Sequence, residues 1–172
     1  MAQNVEIKAM INNYSRLAEF ISKIADEGPV LLSQEDTFFH SPHGRLKLRK
    51  FSENQGELIF YKRDNLPGPK LSEYKILPTN NPILLRNILA ASLGVIGVVR
   101  KKRTLFKIAQ TRIHLDHVEG LGDFLELEVV LNDHQGVGFG ESIAKELLER
   151  LEIKSESLLE KSYLELLLEK GA

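Results

Sequence analysis

The chain has 172 residues, 42% of them hydrophobic, which suits one globular domain with a single buried core. It contains no cysteine, so disulfide bonds and thiolate metal sites are excluded. The formal net charge is −1, but residues 45–112 carry 15 Lys and Arg against four Asp and Glu. That basic segment indicates a site for an anion, or for an acidic surface of the chain itself.

The N-terminal sequence MAQNVEIKAM has neither the basic nor the apolar segment of a secretory signal. No apolar run approaches the roughly 18 residues that a membrane span needs. We therefore expect a cytoplasmic protein that does not act in a membrane.

The first half of the chain combines one helix pattern with several strand patterns. Residues 4–11 predict a strand, and apolar residues at helical spacing predict a helix within 12–29, stopped by Gly28-Pro29. Turn-type clusters then separate four predicted strands, at 29–39, 44–51, 56–63 and 69–76.

The second half predicts one apolar helix, three strands and an acidic C-terminal region. The helix begins at Asn81-Pro82, because proline suits the first helical position, and ends at Gly94. The remaining predicted elements are strands at 95–106, 110–120 and 123–131, a loop at 132–140, and two acidic amphipathic helices at 141–151 and 157–170. The last helix carries the capping-box pattern Ser157-x-x-Glu160 at its start.

These elements predict an α+β fold. About eight strands in antiparallel hairpins, with only a few helices, are typical of a closed or nearly closed eight-stranded β-barrel with flanking α-helices. No internal repeat or linker interrupts the chain. We expect residues 1–172 to form a single domain.

Charged and apolar residues alternate within the predicted strands. The segment GRLKLRKF at 44–51 puts Arg45, Lys47 and Arg49 on one face, and Glu126 and Glu128 share one face of a later strand. In one strand alone, a solvated face explains this pattern. Taken together, the charged faces are arginine-rich in some strands and carry only carboxylates in another. If such groups are buried, they must pair with each other, bind a metal or bind a charged ligand.

A series of short motifs runs along essentially the whole chain. The motifs are Asn4-x-Glu6-x-Lys8, DTFF at 36–39, GRLKLR at 44–49, Tyr61-x-Arg63, PKLSEY at 69–74, Lys101-x-Arg103 and RIHLDHVEGLGDFLELEV at 112–129. In this order they resemble the CYTH group of class IV adenylate cyclases and thiamine triphosphatases, also called triphosphate tunnel metalloenzymes. GRLKLR and GLGDFLELEV are most similar to the cyclase-like branch.

The resemblance implies a tunnel with a charged inner wall that binds a triphosphate and a divalent metal. It assigns a catalytic role to Lys8. The triphosphate-binding residues that it implies are Lys8, Arg45, Lys47, Arg49, Arg63, Lys101, Arg103 and Arg112. The implied ligands for Mg²⁺ or Mn²⁺ are Glu6, Glu126, Glu128 and, as a fourth, Asp116.

The implied activity is that of a metal-dependent enzyme. It either cyclises ATP to cyclic AMP and pyrophosphate or hydrolyses a triphosphate. The partner is therefore a small molecule (ATP, thiamine triphosphate or inorganic triphosphate) and not a nucleic acid, since the basic residues alternate into the barrel. Whether the chain forms a homodimer is left open.

Asn4 departs from the resemblance, because the first carboxylate of the E-x-E-x-K motif falls on it. A missing charge there puts a second metal ion in doubt. It makes plausible a noncatalytic module that binds polyphosphate or an organic phosphate. A separate alternative is a lipocalin-like carrier of an organic anion held by internal arginines. The paired Glu126 and Glu128 favour the enzyme, since a simple anion carrier gains nothing from carboxylates beside its ligand.

Three further features have structural interpretations. His114 and His117 lie three apart in a strand and face opposite sides, so we expect His114 to be a hydrogen-bond partner in the tunnel. The segment GVGFG at 136–140 lacks the Lys-Ser/Thr of a phosphate loop and is interpreted as a flexible connector. Tyr163 is interpreted as a core contact of the last helix.

Overall fold

The computed structural model describes residues 1–171. Within them the strands are β1 (Ala2–Met10), β2 (Glu27–Phe39), β3 (Arg45–Ser52), β4 (Gln55–Arg63), β5 (Lys70–Thr79), β6 (Val95–Ile108), β7 (Thr111–Val118), β8 (Gly122–Val130) and β9 (Leu158–Leu159). The α-helices of the same residues are α1 (Tyr14–Ile24), α2 (Pro82–Leu93), α3 (Val137–Arg150) and α4 (Tyr163–Glu169). None of these helices has both the length and the hydropathy that crossing a membrane requires.

The first eight strands close into a ring. Their order is β5-β4-β3-β2-β6-β7-β8-β1, and a further pairing of β5 with β1 completes the circle. Every pairing in the ring is antiparallel. The predicted α+β fold with an eight-stranded antiparallel barrel is therefore confirmed. The short β9 adds to the outer part of β1, where Lys8 and Ala9 pair with Leu159 and Leu158.

The hydrophobic core lies outside the barrel, between its outer surface and helices α1 and α3. Val5 and Ile7 of β1 and Leu127 of β8 pack with Leu17 of α1 and Leu147 of α3, and all five are buried. Because side chains alternate along a strand, burying the apolar stripe outside turns the charged stripe toward the barrel interior. The helices thus cover what would otherwise be an exposed apolar surface.

Helix α2 begins where the sequence predicts. The side chain of Asn81 accepts a hydrogen bond from the backbone N–H of Leu84, and Pro82 occupies the first turn. The helix ends at Leu93, and Gly94 follows with φ +80°. Glycine adopts this left-handed conformation at little cost, which is why it ends the helix there.

The prediction for the last helix is wrong in its start and its cap. The segment Ser155–Ser157 forms a 3₁₀ turn, and the next two residues form β9 instead of continuing a helix. The capping box joins Ser162 and Glu165, not Ser157 and Glu160. The physical reason is that β5 pairs with β1 only from Ala2 to Glu6, so the outer part of β1 is available to the chain at Leu158–Leu159.

The interpretation of GVGFG as a connector is also wrong, because α3 begins at Val137. Gly140 faces β1 within the first turn of α3. A Cβ atom at Gly140 would lie 2.6 Å from Cγ2 of Val5, closer than side-chain atoms approach. Glycine therefore lets this helix pack directly against the barrel.

Candidate active site

A cavity of about 270 Å³ lies inside the barrel. Side chains from all eight barrel strands line it, together with Ser162 and Tyr163 at the start of α4. Its volume is near the lower end of the roughly 300–1,000 Å³ typical of small-molecule sites. The lining cations are Lys8, Lys47, Arg49, Arg63, Lys101, Arg103 and Arg112, and the lining carboxylates are Glu6, Asp36, Glu57, Glu126 and Glu128.

One side of the cavity, the cationic wall, consists of Asp36, Lys47, Arg49 and Lys101. Asp36 Oδ2 accepts hydrogen bonds from Lys47 Nζ at 3.0 Å, from Arg49 Nη2 at 2.9 Å and from Lys101 Nζ at 3.2 Å. Arg49 Nε donates to the other oxygen at 2.9 Å. Three cations thus share one carboxylate that is 1% exposed.

The pKa values of the cationic wall reflect this excess of cations over carboxylates. Burial alone raises the pKa of Asp36, but Arg49, Lys101 and Lys47 together hold it well below its ordinary value. Burial lowers the pKa of Lys101 to about 7, because the attraction of Asp36 does not offset burial and the repulsion of neighbouring cations. The wall therefore holds a lysine that is poorly neutralised by the protein itself.

The other side, the carboxylate wall, consists of Glu6, His114, Glu126 and Glu128. In the strand register Glu6 lies opposite Glu128, and Glu126 lies opposite His114. A ring nitrogen of His114 and one carboxylate oxygen each of Glu126 and Glu128 all lie within 4.8 Å of one another, so these three atoms are close enough to share one metal ion. Burial, and then repulsion by Glu126, raises the pKa of Glu6.

Each carboxylate of this wall has a cationic neighbour of its own. Arg63 Nη1 donates to Glu6 Oε1 at 2.9 Å, and Arg112 Nη2 lies 2.9 Å from Glu128 Oε2. Lys8 Nζ and Arg103 Nη2 each lie 3.8 Å from a Glu126 oxygen. On the carboxylate wall each carboxylate thus has a cation beside it, whereas on the cationic wall three cations share one carboxylate.

The two walls face each other across the barrel. In the ring of eight strands, β1 and β8 lie four positions away from β2 and β3, respectively. The carboxylates of β1 and β8 therefore point across the cavity toward Asp36 of β2 and toward Lys47 and Arg49 of β3. A ligand in the cavity meets a set of cations on one side and a set of metal-binding groups on the other.

The two ends of the cavity also differ. At one end, Tyr163 and Leu164 of α4 pack with Phe38, Val99 and Phe124 in a buried cluster. Toward the other end, the lining changes from charged to apolar and aromatic. The residues of this apolar end are Leu32, Phe51, Tyr74, Ile76 and Leu105, none of which is fully buried.

Two of the residues that the sequence proposed do not line the cavity. Arg45 Nη2 donates to Asn65 Oδ1 at 2.8 Å and to Glu165 Oε1 at 3.1 Å, at the α4 end of the barrel. Both oxygens of Asp116 accept hydrogen bonds from Arg103 at 2.7 Å, and Asp116 Oδ2 also accepts one from the Tyr163 hydroxyl at 2.8 Å. These contacts hold Arg103 in place beside Glu126 of the carboxylate wall. The other ten proposed residues line the cavity.

Sequence reasoning missed two side chains of the cavity lining. Asp36 was part of the DTFF motif but received no role, and it shares with Phe38 the face of β2 that lines the cavity. Tyr163 does pack against Phe124, as a core residue should, with ring centroids 5.0 Å apart. However, its ring also lies 4.1 Å from Lys8 Nζ and so forms part of the cavity wall. No local pattern in the C-terminal sequence signals that second contact.

The sequence matches a known protein family. A model of the CYTH domain matches residues 2–163. The chain belongs to the CYTH family. The resemblance inferred from the motifs is therefore confirmed, and it extends over nearly the whole chain.

Individual CYTH relatives are also similar to this chain. A protein of Methanocaldococcus jannaschii named "Putative adenylate cyclase" is 30% identical over 176 residues, which cover 94% of this chain and 97% of that protein. A solved structure from Pyrococcus horikoshii has a TM-score of 0.82 at 23% identity, covering 94% of this chain and 98% of the other. The structure of a "putative adenylyl cyclase" from Hippeastrum with "a dominant triphosphatase activity" has a TM-score of 0.66 at 13% identity, covering 94% and 91%. At these identities the two structures support the fold alone.

Proposed function

We propose that this protein is a divalent-metal-dependent enzyme that acts on a triphosphate bound in the barrel cavity. The observation that carries the proposal is the pair of facing walls, one rich in cations and the other able to hold a metal. An enzyme of phosphoryl transfer needs both, because positioning and charge stabilisation supply nearly all of the catalysis.

The charge of the cavity fits such a ligand. Seven Lys and Arg and five carboxylates line it, so the cavity carries an excess of two positive charges when all are ionised. A triphosphate with about four negative charges and one divalent metal ion together carry about two negative charges. The complex is then close to neutral, which matters in a buried site where unbalanced charge is costly.

The residues have distinct proposed roles. Lys47, Arg49 and Lys101 bind the phosphate oxygens from the cationic wall, with Arg63, Arg103 and Arg112 beside the carboxylates as further phosphate-binding groups. Arg45 does not line the cavity, so its proposed contribution to phosphate binding is made from the α4 end of the barrel, where it contacts Glu165.

Lys8 is the proposed catalytic residue. Its Nζ lies near Glu126 of the carboxylate wall, and burial lowers its pKa. At that position it stabilises negative charge on the phosphoryl group that reacts. The Tyr163 ring beneath Lys8 Nζ orients the ammonium group toward the cavity.

The proposed metal is Mg²⁺ or Mn²⁺, and the residues present fit it. Glu6, Glu126 and Glu128 supply the oxygen ligands that these ions prefer, and Asp116 supports the wall by fixing Arg103. When bound, the ion reduces the negative charge at the reacting phosphorus and on the leaving group. The protein's own part is to orient the triphosphate between the two walls and to exclude bulk water.

The apolar end of the cavity suits the organic group of the substrate. Phe51 and Tyr74 offer aromatic faces there, and Leu32, Ile76 and Leu105 complete the apolar surface. A nucleoside or thiazolium group bound at this end would direct its triphosphate inward, toward the charged walls. We therefore favour an organic triphosphate over inorganic triphosphate as the substrate.

Two reactions fit this arrangement. In the first, the 3′-hydroxyl of ATP attacks the α-phosphorus, the α–β phosphoanhydride bond breaks, and pyrophosphate leaves. In the second, water attacks the terminal phosphorus and phosphate leaves. The M. jannaschii relative is named for the first reaction, and the Hippeastrum relative is described with the second.

The test is a substrate panel of ATP, thiamine triphosphate and inorganic triphosphate, each with Mg²⁺ and with Mn²⁺. Cyclic AMP and pyrophosphate are separated from released phosphate by ion-exchange chromatography. We expect turnover of an organic triphosphate with at least one of the two metals. Thermal stabilisation by triphosphate without any turnover would instead support the noncatalytic module. Stabilisation by a fatty acid but not by triphosphate would support the carrier.

A further inference from the structure

His114 differs from the other polar groups of the carboxylate wall because its Nδ1 atom has no hydrogen-bond partner within residues 1–171. The residue is only 4% exposed, so solvent does not provide a partner from outside. A buried polar atom without a partner destabilises the folded protein, because its hydrogen bonds to water are lost and not replaced. Such an atom in a site of this kind indicates a ligand that completes it.

The atom points at two carboxylates of the same wall. His114 Nδ1 lies 3.6 Å from Glu126 Oε1 and 4.0 Å from Glu128 Oε1. Both separations exceed hydrogen-bond distance. However, two ligands that bind one ion at about 2.1 Å are roughly 3.0–3.4 Å apart at octahedral or tetrahedral angles and about 4.2 Å apart in trans positions. The observed distances of 3.6 and 4.0 Å lie between these values, so small side-chain movements suffice to bring the three atoms onto one ion.

We propose that His114 Nδ1 is a metal ligand, and that with Glu126 and Glu128 it forms a mixed nitrogen–oxygen site selective for a first-row transition ion over Mg²⁺. Imidazole nitrogen suits transition ions, whereas Mg²⁺ prefers oxygen ligands and gives up its water reluctantly. Asn4, which is 3% exposed and lines the same cavity, offers a neutral amide where a further carboxylate would favour Mg²⁺. The site deepens the proposed function by naming the class of metal, but metal binding does not itself require a triphosphate.

The strand β7 supplies a matched control. His117 lies three residues further along the strand and faces outward, with 64% of its side chain exposed and Nδ1 2.6 Å from Asp123 Oδ1. Replacing His117 therefore removes a histidine of similar sequence context without changing the cavity.

The experiment uses Mn²⁺ as the probe on the full chain without triphosphate. Electron paramagnetic resonance gives the free Mn²⁺ concentration and hence the Kd, and competition by Mg²⁺ gives the Mg²⁺ affinity. We expect His114→Ala to weaken Mn²⁺ binding by at least the roughly 10- to 100-fold that loss of even an outer-shell partner causes. Mg²⁺ binding should change by less than about twofold, because Mg²⁺ gains little from imidazole. His117→Ala should bind both ions like the wild-type protein.

A spectroscopic measurement tests the ligand directly and does not depend on whether a variant folds. Pulsed electron paramagnetic resonance of Mn²⁺ bound to the wild-type protein should show modulation from ¹⁴N, and so should His117→Ala. His114→Gln, which keeps a polar side chain in the cavity, should lose it. Bound Mn²⁺ without nitrogen modulation in the wild-type protein would overturn the proposal, and so would wild-type protein that binds no Mn²⁺.

These results are separable from the proposed function. If His114 binds Mn²⁺ but no triphosphate is turned over, the metal site stands and the enzyme proposal fails. If triphosphate turnover depends on Mg²⁺ alone and Mn²⁺ shows no nitrogen ligand, the enzyme proposal stands and the assignment of His114 fails.

Discussion

Both the cationic wall and the carboxylate wall of the cavity bring carboxylates and cations together, but their charges are neutralised differently. On the cationic wall, Lys47, Arg49 and Lys101 all depend on Asp36. On the carboxylate wall, every Glu has at least one cation of its own within 4.0 Å. Without a ligand, the cationic wall therefore has an excess of positive charge. On the carboxylate wall, the positive and negative charges nearly cancel.

The comparison shows how one barrel can receive two oppositely charged ligands. An anion gains most on the wall with surplus cations. A metal ion gains most where carboxylates and an unpartnered His114 nitrogen converge. If the walls were equally balanced, neither ligand would have a preferred side. The following variants test that difference.

The largest effect is expected from removing the only carboxylate of the cationic wall. Asp36→Ala leaves three cations close together, two of them on side chains less than 15% exposed. Loss of one partner from a buried charge network typically destabilises a protein by about 3–5 kcal/mol. We expect a decrease of that size in the free energy of unfolding, measured by urea denaturation. Inorganic triphosphate should restore part of the loss, because its oxygens replace the carboxylate.

The control for this variant is the neighbouring Glu35→Ala. Glu35 faces the outside of the barrel, where it contacts Lys50 at 3.5 Å and Arg100 at 3.0 Å. Ion pairs in such partly exposed positions contribute about 1 kcal/mol or less. If Asp36→Ala were no more destabilising than Glu35→Ala, the cationic wall would not be a strained cluster of like charges.

The second prediction concerns the carboxylate wall. Glu128→Gln keeps the shape of the side chain but removes a charged metal ligand beside Arg112. We expect at least about a hundredfold lower kcat, equivalent to about 2.7 kcal/mol. Metal-free binding of inorganic triphosphate, measured by calorimetry, should stay within about threefold, since the cationic wall is unchanged.

An equal loss of metal-free triphosphate binding in this variant would contradict the division of roles between the walls. Glu126→Gln offers a second test at the same wall, with the same expectation. Lys8 would then lose a carboxylate neighbour, whereas Arg103 would keep its bidentate contact with Asp116, so metal-free triphosphate binding should not weaken.

Much of this site was predictable from the sequence. The alternation in β3 and β8 gives the faces of Lys47, Arg49, Glu126 and Glu128 directly, because neighbouring strand residues point to opposite sides. Which face of a strand points into the barrel depends on what covers the other face. The amphipathic pattern of α3 indicates that this helix covers the apolar face of the strands, which leaves the charged face inside. The family resemblance supplied the rest of the cavity wall.

The details that the sequence did not reveal depend on contacts distant in sequence. The start of α4 was misplaced because helical periodicity does not reveal that Leu158 pairs with Ala9 of β1. The position of Arg45 outside the cavity follows from its bond to Glu165, 120 residues away. The engagement of Asp116 by Arg103 and Tyr163 is likewise a result of packing. Local patterns contain no information about such partners.

The third prediction compares two lysines of the same strand. Lys47 lies in the cationic wall, whereas Lys50 lies on the outer face beside Glu35. At a hundredfold excess over its Kd, triphosphate should stabilise the wild-type protein by about 2.7 kcal/mol. Lys47→Ala should shrink that shift in a thermal melt and Lys50→Ala should not. Equal shifts in the two variants would place the phosphates elsewhere.

The smallest expected effect is a pH dependence from Lys101. Its pKa of about 7 without ligand should rise when phosphate oxygens approach, because a nearby anion favours the charged form. Below pH 7 the lysine is already protonated, so this group adds no pH dependence to binding there. Above pH 7 binding must take up a proton, so the affinity for triphosphate falls by up to about tenfold per pH unit until the pKa of the complex is reached.

Lys101→Arg isolates this contribution, because arginine keeps its charge throughout the range and binds phosphate as well. Triphosphate also titrates near neutral pH, so the quantity to compare is the difference between the two proteins from pH 7.5 to 9, not either curve alone. Calorimetry in buffers with different protonation enthalpies counts the protons taken up at pH 8. We expect the wild-type protein to take up more than Lys101→Arg does. Equal uptake would mean that Asp36 already keeps Lys101 charged, and that the cationic wall is better neutralised than its geometry indicates.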